Sequence, residues 1–248
     1  MKRIGIAVIA ALFVALAFRP VTSAQAFGPA AQAQAPDLAR LEEALNAAPD
    51  DLKAGNDYRM AVVQINAIPQ YDRAIAFFQK LVTAHPDAAN AHLNYGFAYV
   101  DKIPAAGAIT QVILANNALG EFTKALVLKP SWIGLYTRGN SYLFWPRIFN
   151  RTHLGIDDLQ HALTIQKADR KRPYYARVYV ALGDGYWKID DMIAAANTWR
   201  EGLAAYPNNV ELKNRLSRQG DELKALIEAG YDPAKRVDTS LQDLWTNQ

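Results

Sequence analysis

Apolar side chains recur along most of this chain at intervals of three and four residues, the spacing that lays a stripe down one face of an α-helix. Tyr179, Leu182, Gly183 and Tyr186 fall at i, i+3, i+4 and i+7. A second stripe follows on Ala195, Trp199 and Gly202. Pro207 closes it, because proline cannot continue a helix past its first turn. The two stripes predict a pair of antiparallel helices. Gly183 and Ala195 are small where the backbones approach, and Tyr186 and Trp199 fill the space beside them.

The same arrangement occurs three times upstream. In a unit over about 55–88, Tyr58, Ala61 and Ile65 mark the first helix, Ala74, Phe78 and Leu81 the second, and Pro86 the stop. Val62 stands there in the place of Gly183, twelve residues before Ala74, the same gap as from Gly183 to Ala195. In the unit over 89–131, His92, Tyr95, Gly96 and Tyr99 precede Ala118, Phe122, Ala125 and Pro130, with ten extra residues between Gly96 and Ala118. In the unit over 132–168, Leu135, Gly139 and Tyr142 precede Gly155, Leu159 and Ala162, with four extra residues and Lys167 in place of a closing proline. The clearest unit is the last, 176–209. Fixed-period self-similarity of this kind is the mark of a repeat architecture.

The series resembles the tetratricopeptide (TPR) family over about residues 52–210. That resemblance implies an all-α fold: helical hairpins stacked into a right-handed superhelical solenoid, with flanking cap helices. In this family the first helices of the hairpins line a concave groove that commonly grips a peptide or helix of a partner. Carried onto this sequence, Arg59, Asn94, Tyr136, Asn140, Arg177, Asp184, Trp187 and Lys188 are expected to face it. One subfamily clamps a partner's terminal carboxylate with Lys, Asn and Arg side chains. Asn94 fits one such position, but Val63, Ile133 and Thr137 occupy others, which argues against that clamp.

The flanks complete a repeat domain over 37–230. Asp37 can cap a short helix carrying Leu38, Leu41 and Leu45. A cap helix over 210–229 places Leu212, Leu216, Leu223, Leu226 and Ile227 on the last repeat and its charges in water, and Gly230 suits its end. The tail 231–248 is polar apart from Leu241, Leu244 and Trp245.

Residues 1–26 read as a signal peptide. Lys2 and Arg3 precede an apolar run from Ile4 to Phe18, and Ala24-Gln25-Ala26 is the small-x-small cleavage pattern. The run is shorter than the roughly 20 residues of a membrane-spanning helix. Cleavage is the expectation, and a retained anchor is the alternative. Residues 27–36, rich in Ala, Gln and Pro, read as a flexible linker. The reading implies a periplasmic or secreted protein with no stable membrane span once the leader is removed.

Charge changes the picture only through that leader. The formal net charge of +3 equals the contribution of Lys2, Arg3 and Arg19, so the remainder is neutral and lacks the basic footprint of a nucleic-acid binder. There is no cysteine, which excludes disulfides, thiolate metal sites and cysteine nucleophiles together.

Candidate chemistry is sparse. None of the G-x-S-x-G, G-x-x-x-x-G-K-[ST], H-E-x-x-H or G-x-G-x-x-G patterns occurs. His153, Asp157 and His161 share a helix face, but the outer two lie about 12 Å apart, too far to share one metal ion easily. No metal, cofactor or catalytic activity is therefore expected. The aromatic run from Tyr142 to Phe149 fills the third unit's extended turn. It either packs under neighbouring hairpins or presents Phe144, Trp145, Arg147 and Phe149 as an inserted edge for a partner. The two insertions should lie side by side, with Ile109, Val112 and Ile113 along one lengthened helix over 105–128. The sequence thus points to a scaffold or assembly factor for a protein or peptide partner. A small-molecule or glycan binder is the alternative, and a cryptic enzyme a more remote one.

Overall fold

The computed structural model describes residues 36–246. The expected leader and nearly all of the expected linker fall outside them. Helices follow one another along the described chain, and no strand occurs among these residues.

Helix α1 (Leu38–Ala47) begins where the Asp37 side chain accepts from the Arg40 N–H at 3.1 Å. The first hairpin pairs α2 (Leu52–Ile65) with α3 (Ile68–Ala84). Asp51 caps α2, accepting from the N–H groups of Lys53 and Ala54. Asn66, in the left-handed conformation at φ 53°, turns the chain into α3. Tyr58, Val62, Phe78 and Leu81 are buried between these helices, with Leu38 and Leu45 of α1 against them. The register read from Tyr58, Ala74 and Phe78 is the observed one.

The second hairpin pairs α4 (Ala89–Lys102) with α5 (Ala108–Leu128). A single turn over Ile103–Ala105 joins them, so the expected long helix starts three residues later than the sequence suggests. The third pairs α6 (Trp132–Tyr142) with α7 (Thr152–Lys167), and the fourth pairs α8 (Ala176–Lys188) with α9 (Met192–Ala205). The second helix of each hairpin packs on the first helix of the next.

The expected cap over 210–229 is two helices, α10 (Val210–Leu216) and α11 (Gly220–Gly230). The break falls at Gly220, whose φ of +51° a side-chain-bearing residue rarely adopts. The predicted burial nevertheless holds at its ends: Leu212 and Ile227 are fully buried over Tyr179 and Trp199. Beyond α11 the chain does not trail into solvent. It runs back across α8, α6, α4 and α2 and ends in one short turn, α12 (Asp243–Thr246).

Candidate functional site

The face built by α2, α4, α6 and α8 is where the sequence places a groove, and the protein's own residues 231–246 lie in it. At one end Arg236 donates to the Tyr71 hydroxyl at 2.7 Å, to Asn66 Oδ1 at 3.2 Å and to the Asp101 carbonyl at 3.2 Å. Next, the Thr239 carbonyl accepts from Arg59 Nη2 at 3.0 Å, and the Thr239 hydroxyl donates to Asp101 Oδ1. Leu241 joins the apolar cluster of Leu93, Phe97 and Phe122, and Leu244 joins that of Trp132 and Tyr136. Asp243 accepts from Arg177 Nη2 at 2.6 Å, and Lys53 sits 5.8 Å from the Trp245 ring. The segment therefore reaches from the C-terminal ends of α2 and α4 to the N-terminal ends of α2 and α8.

Arg59 is the centre of this arrangement and is 1% exposed. It donates to Asn94 Oδ1 at 3.0 Å, Asp101 Oδ2 at 2.9 Å and Asn56 Oδ1 at 3.2 Å, and its guanidinium lies 4.6 Å from the Phe97 ring centroid. Burial pulls the Arg59 guanidinium down and lifts the Asp101 carboxyl, while each charge opposes the other's shift. A buried ion pair is costly unless its remaining donors and acceptors are satisfied. Here the tail backbone and the Thr239 hydroxyl supply two of the partners. The Asp238 carboxyl is held below its ordinary range. Burial works against that, but hydrogen bonds from Ser240 and the fields of Arg177 and Arg59 outweigh it.

A cavity of about 970 Å³ remains between the tail and the helices. Tyr136, Asn140, Phe144, Trp145, Trp187 and Lys188 line it, opposite tail residues from Pro233 to Leu244. Tyr136 stacks on Trp132 at 5.3 Å, and burial pushes its hydroxyl up to about 12. Lys188 lies 4.5 Å from the Tyr231 ring centroid, and burial lowers its ammonium pKa. The cavity thus joins an aromatic wall to a cation.

Of the eight expected groove residues, Arg59, Asn94 and Arg177 are engaged by the tail or by each other, and Tyr136, Asn140, Trp187 and Lys188 line the cavity. Asp184 does something else. It is fully buried and accepts from Arg215 of α10 and from the Tyr231 hydroxyl, so it locks the end cap onto α8 and shows no surface to a partner.

The inserted edge is also divided. Arg151 donates to Asn116 of α5 at 2.9 Å, so the two insertions lie side by side. Trp145 is 7% exposed, 5.5 Å from the Phe149 ring centroid and 3.8 Å from the Arg151 guanidinium, the packed one of the two arrangements the sequence leaves open for this ring. Its ring packs because the extended turn folds back on itself at Asn150, in the left-handed conformation at φ 48°. Phe144 meets Tyr231 edge-on at 5.2 Å. Arg147 pairs with Asp190 at 2.7 Å. Exposed apolar surface remains on Ile109, Ile148 and Phe149, at 82%, 87% and 52%.

His153, Asp157 and His161 are all exposed on α7. Among the described residues no group of three His, Cys, Asp or Glu side chains is placed to hold a metal ion. His92 is buried and bridges α4 to α5 through Glu121 Oε2 at 2.6 Å. Among the described residues, no helix is long and apolar enough to cross a membrane. Sequence reasoning missed Asp101, Arg236, Thr239 and Asp243, which belong to no repeat position. The apolar Leu241, Leu244 and Trp245 in a polar tail were the available signal.

No protein-family model matches the chain. Among solved structures, TTC0263, a thermophilic TPR protein of Thermus thermophilus, is similar at 19% identity and a TM-score of 0.53, over 73% of this chain and 87% of that one. The MamA protein is similar at 19% identity and a TM-score of 0.49, over 76% of this chain and 91% of that one. The first likeness concerns the fold: this chain folds as an all-α solenoid of tetratricopeptide-type hairpins.

Proposed function

We propose that the protein is an interaction scaffold that takes an extended segment of a partner protein along the face of α2, α4, α6 and α8. One observation carries this reading: the chain's own tail, without regular structure over 236–241 and helical over Asp243–Thr246, already lies there. It is held by side chains of all four hairpins. Main-chain hydrogen bonds and side-chain pockets together recognise peptide segments; here Arg59 takes the Thr239 carbonyl, and Leu241 and Leu244 enter apolar clusters. The adjoining inserted edge, with Phe149 and Ile148 exposed, extends that surface, and no catalytic role is assigned to any residue. The expected leader makes the periplasm or the exterior the proposed location. N-terminal sequencing of exported protein should then begin at Phe27, and an intact Met1 would remove the export reading.

The scaffold reading is tested by site-specific photo-cross-linking. A cross-linker at Asn140, which lines the cavity, should capture one defined protein in the native host, and one at exposed Asp157 on α7 should not. Equal capture from both positions would defeat it. The cavity itself favours a second reading, a small molecule or glycan held against Tyr136, Phe144 and Trp187. Native mass spectrometry of protein purified from its host should then show a stoichiometric mass increment.

A further inference from the structure

We infer that residues 236–245 are an internal stand-in for the partner's segment, and that a partner must displace them to bind; the inference rests on the scaffold reading above. The tail then spells out the chemistry the face selects. A Ser or Thr is read twice, its carbonyl by Arg59 and its hydroxyl by Asp101. Leucines two and five residues later meet the Phe97 and Trp132 clusters. A carboxylate four residues later meets Arg177. A basic residue three places earlier meets Tyr71 and Asn66.

Three features make the tail displaceable. Its four-residue α12 has no hairpin partner, unlike α2 through α9. Its ion pair with Arg177 is 41% exposed on both sides, and exposed pairs contribute only about 0–1 kcal/mol. Its contacts also leave the cavity of about 970 Å³ unfilled. A partner segment with the same polar pattern and bulkier apolar side chains facing Tyr136, Phe144 and Trp187 would bury surface that the tail leaves empty. That surplus is needed, because a tethered tail competes at an effective concentration in the millimolar range. The tail therefore sets a threshold: segments that match only the polar pattern are excluded, and those that also fill the cavity enter.

The test uses the full chain and a fluorescein-labelled peptide of residues 232–248. Asp243→Arg places like charges at the Arg177 position and opens the strap. The variant should bind the peptide about fivefold more tightly than wild type, since the competing tethered tail loses an exposed ion pair. Adding Arg177→Asp restores the pair with reversed sign and recloses the strap; the same peptide carrying Asp243→Arg, whose charge suits the new carboxylate, should then bind no better than the native peptide binds wild type. Circular dichroism confirms that each variant keeps its helices. Equal peptide binding by all three proteins overturns the inference, as does no binding by the Asp243→Arg chain. If the peptide fails while cross-linking from Asn140 still captures its protein, only the stand-in falls and the scaffold remains. If the strap-opened chain captures nothing from Asn140, the scaffold reading falls and takes the stand-in with it.

Discussion

Helix α8 makes two contacts of opposite character. On one side Gly183 lies directly under the Trp199 indole of α9, and Trp199, Tyr179, Leu212 and Ile227 form a dry cluster closed by apolar contact. On the other side Arg177 reaches out to Asp243 of the tail, in water, across a single ion pair. The first contact joins residues 16 positions apart, and the second joins residues 66 apart. The first buries apolar area, which stabilises at roughly 25 cal/mol per Å². The second exchanges hydration for a screened charge pair and contributes little net energy.

The difference separates the contacts that hold the hairpins together from those that hold the tail. A hairpin contact stabilised by burial is rigid, because interiors are packed like crystals and have no near-equal alternative. The tail is held by a mixture, two leucines against apolar clusters and polar contacts that each net only about 0.5–1.5 kcal/mol, over a cavity it does not fill. Arg59 and Asp101 are the exception on the tail side. With the tail in place they are as buried as the hairpin core, and Arg59 is also held by Asn56 and Asn94, neither of which belongs to the tail.

The largest expected effect lies on the hairpin side. Trp199→Ala should lower the unfolding free energy by about 3–5 kcal/mol in chemical denaturation, because the removed indole leaves a cavity among Tyr179, Ala195 and Leu212. Gly183→Leu comes next. An added Cβ would overlap Trp199 Nε1 and Cδ1, so the helices must separate, at about 1–3 kcal/mol. Either variant melting with wild type would mean that the α8–α9 contact is not the dry one described.

That hairpin was also the most legible part of the sequence. Gly183, Ala195, Trp199 and Pro207 carry information because close approach admits only small residues and the next turn must break the helix. The same logic located Tyr58 and Phe78 in the first hairpin and Ala118 and Phe122 in the second. Two things were not legible. The break in the cap depends on the positive φ of Gly220, and a lone glycine in a helical pattern does not announce a positive φ. The course of the tail depends on Arg236, Thr239 and Asp243, which share no period with one another, because a strap without regular structure follows neither the helical nor the strand repeat. Trp145 shows the same limit at smaller scale: aromatic residues in a turn read equally as surface or core until the fold of that turn is known.

On the tail side the expected effects are smaller. Thr239→Val keeps the shape of the side chain and removes its hydroxyl, leaving the buried Asp101 with one fewer donor. The cost should be about 1–3 kcal/mol, the range for an under-satisfied buried acceptor. Asp101 keeps its buried ion pair with Arg59, so the lost hydroxyl donor is the change the variant reports. A Thr239→Ser variant, which keeps the hydroxyl, should be less destabilised; one as destabilised as Thr239→Val would show that Thr239 acts through tail packing and not through Asp101.

The smallest change in global stability should come from Asp243→Lys, and it separates the two regions most sharply. The pair it breaks is 41% exposed on each side, so the unfolding free energy should move by no more than about 1 kcal/mol. Amide hydrogen exchange reads what denaturation cannot, because it reports local opening as well as global unfolding. In the wild type, amides of α8 and α9 should exchange only through global unfolding, since their hydrogen bonds are internal to packed helices. Amides of 236–246 should exchange through a smaller opening, because the tail can lift while the hairpins stay closed. Asp243→Lys should speed exchange across 236–246 and leave α8 and α9 as they were. If both regions accelerate together, the tail is part of the cooperative core, the contrast drawn at the two sides of α8 disappears, and displacement of the tail would require unfolding the protein.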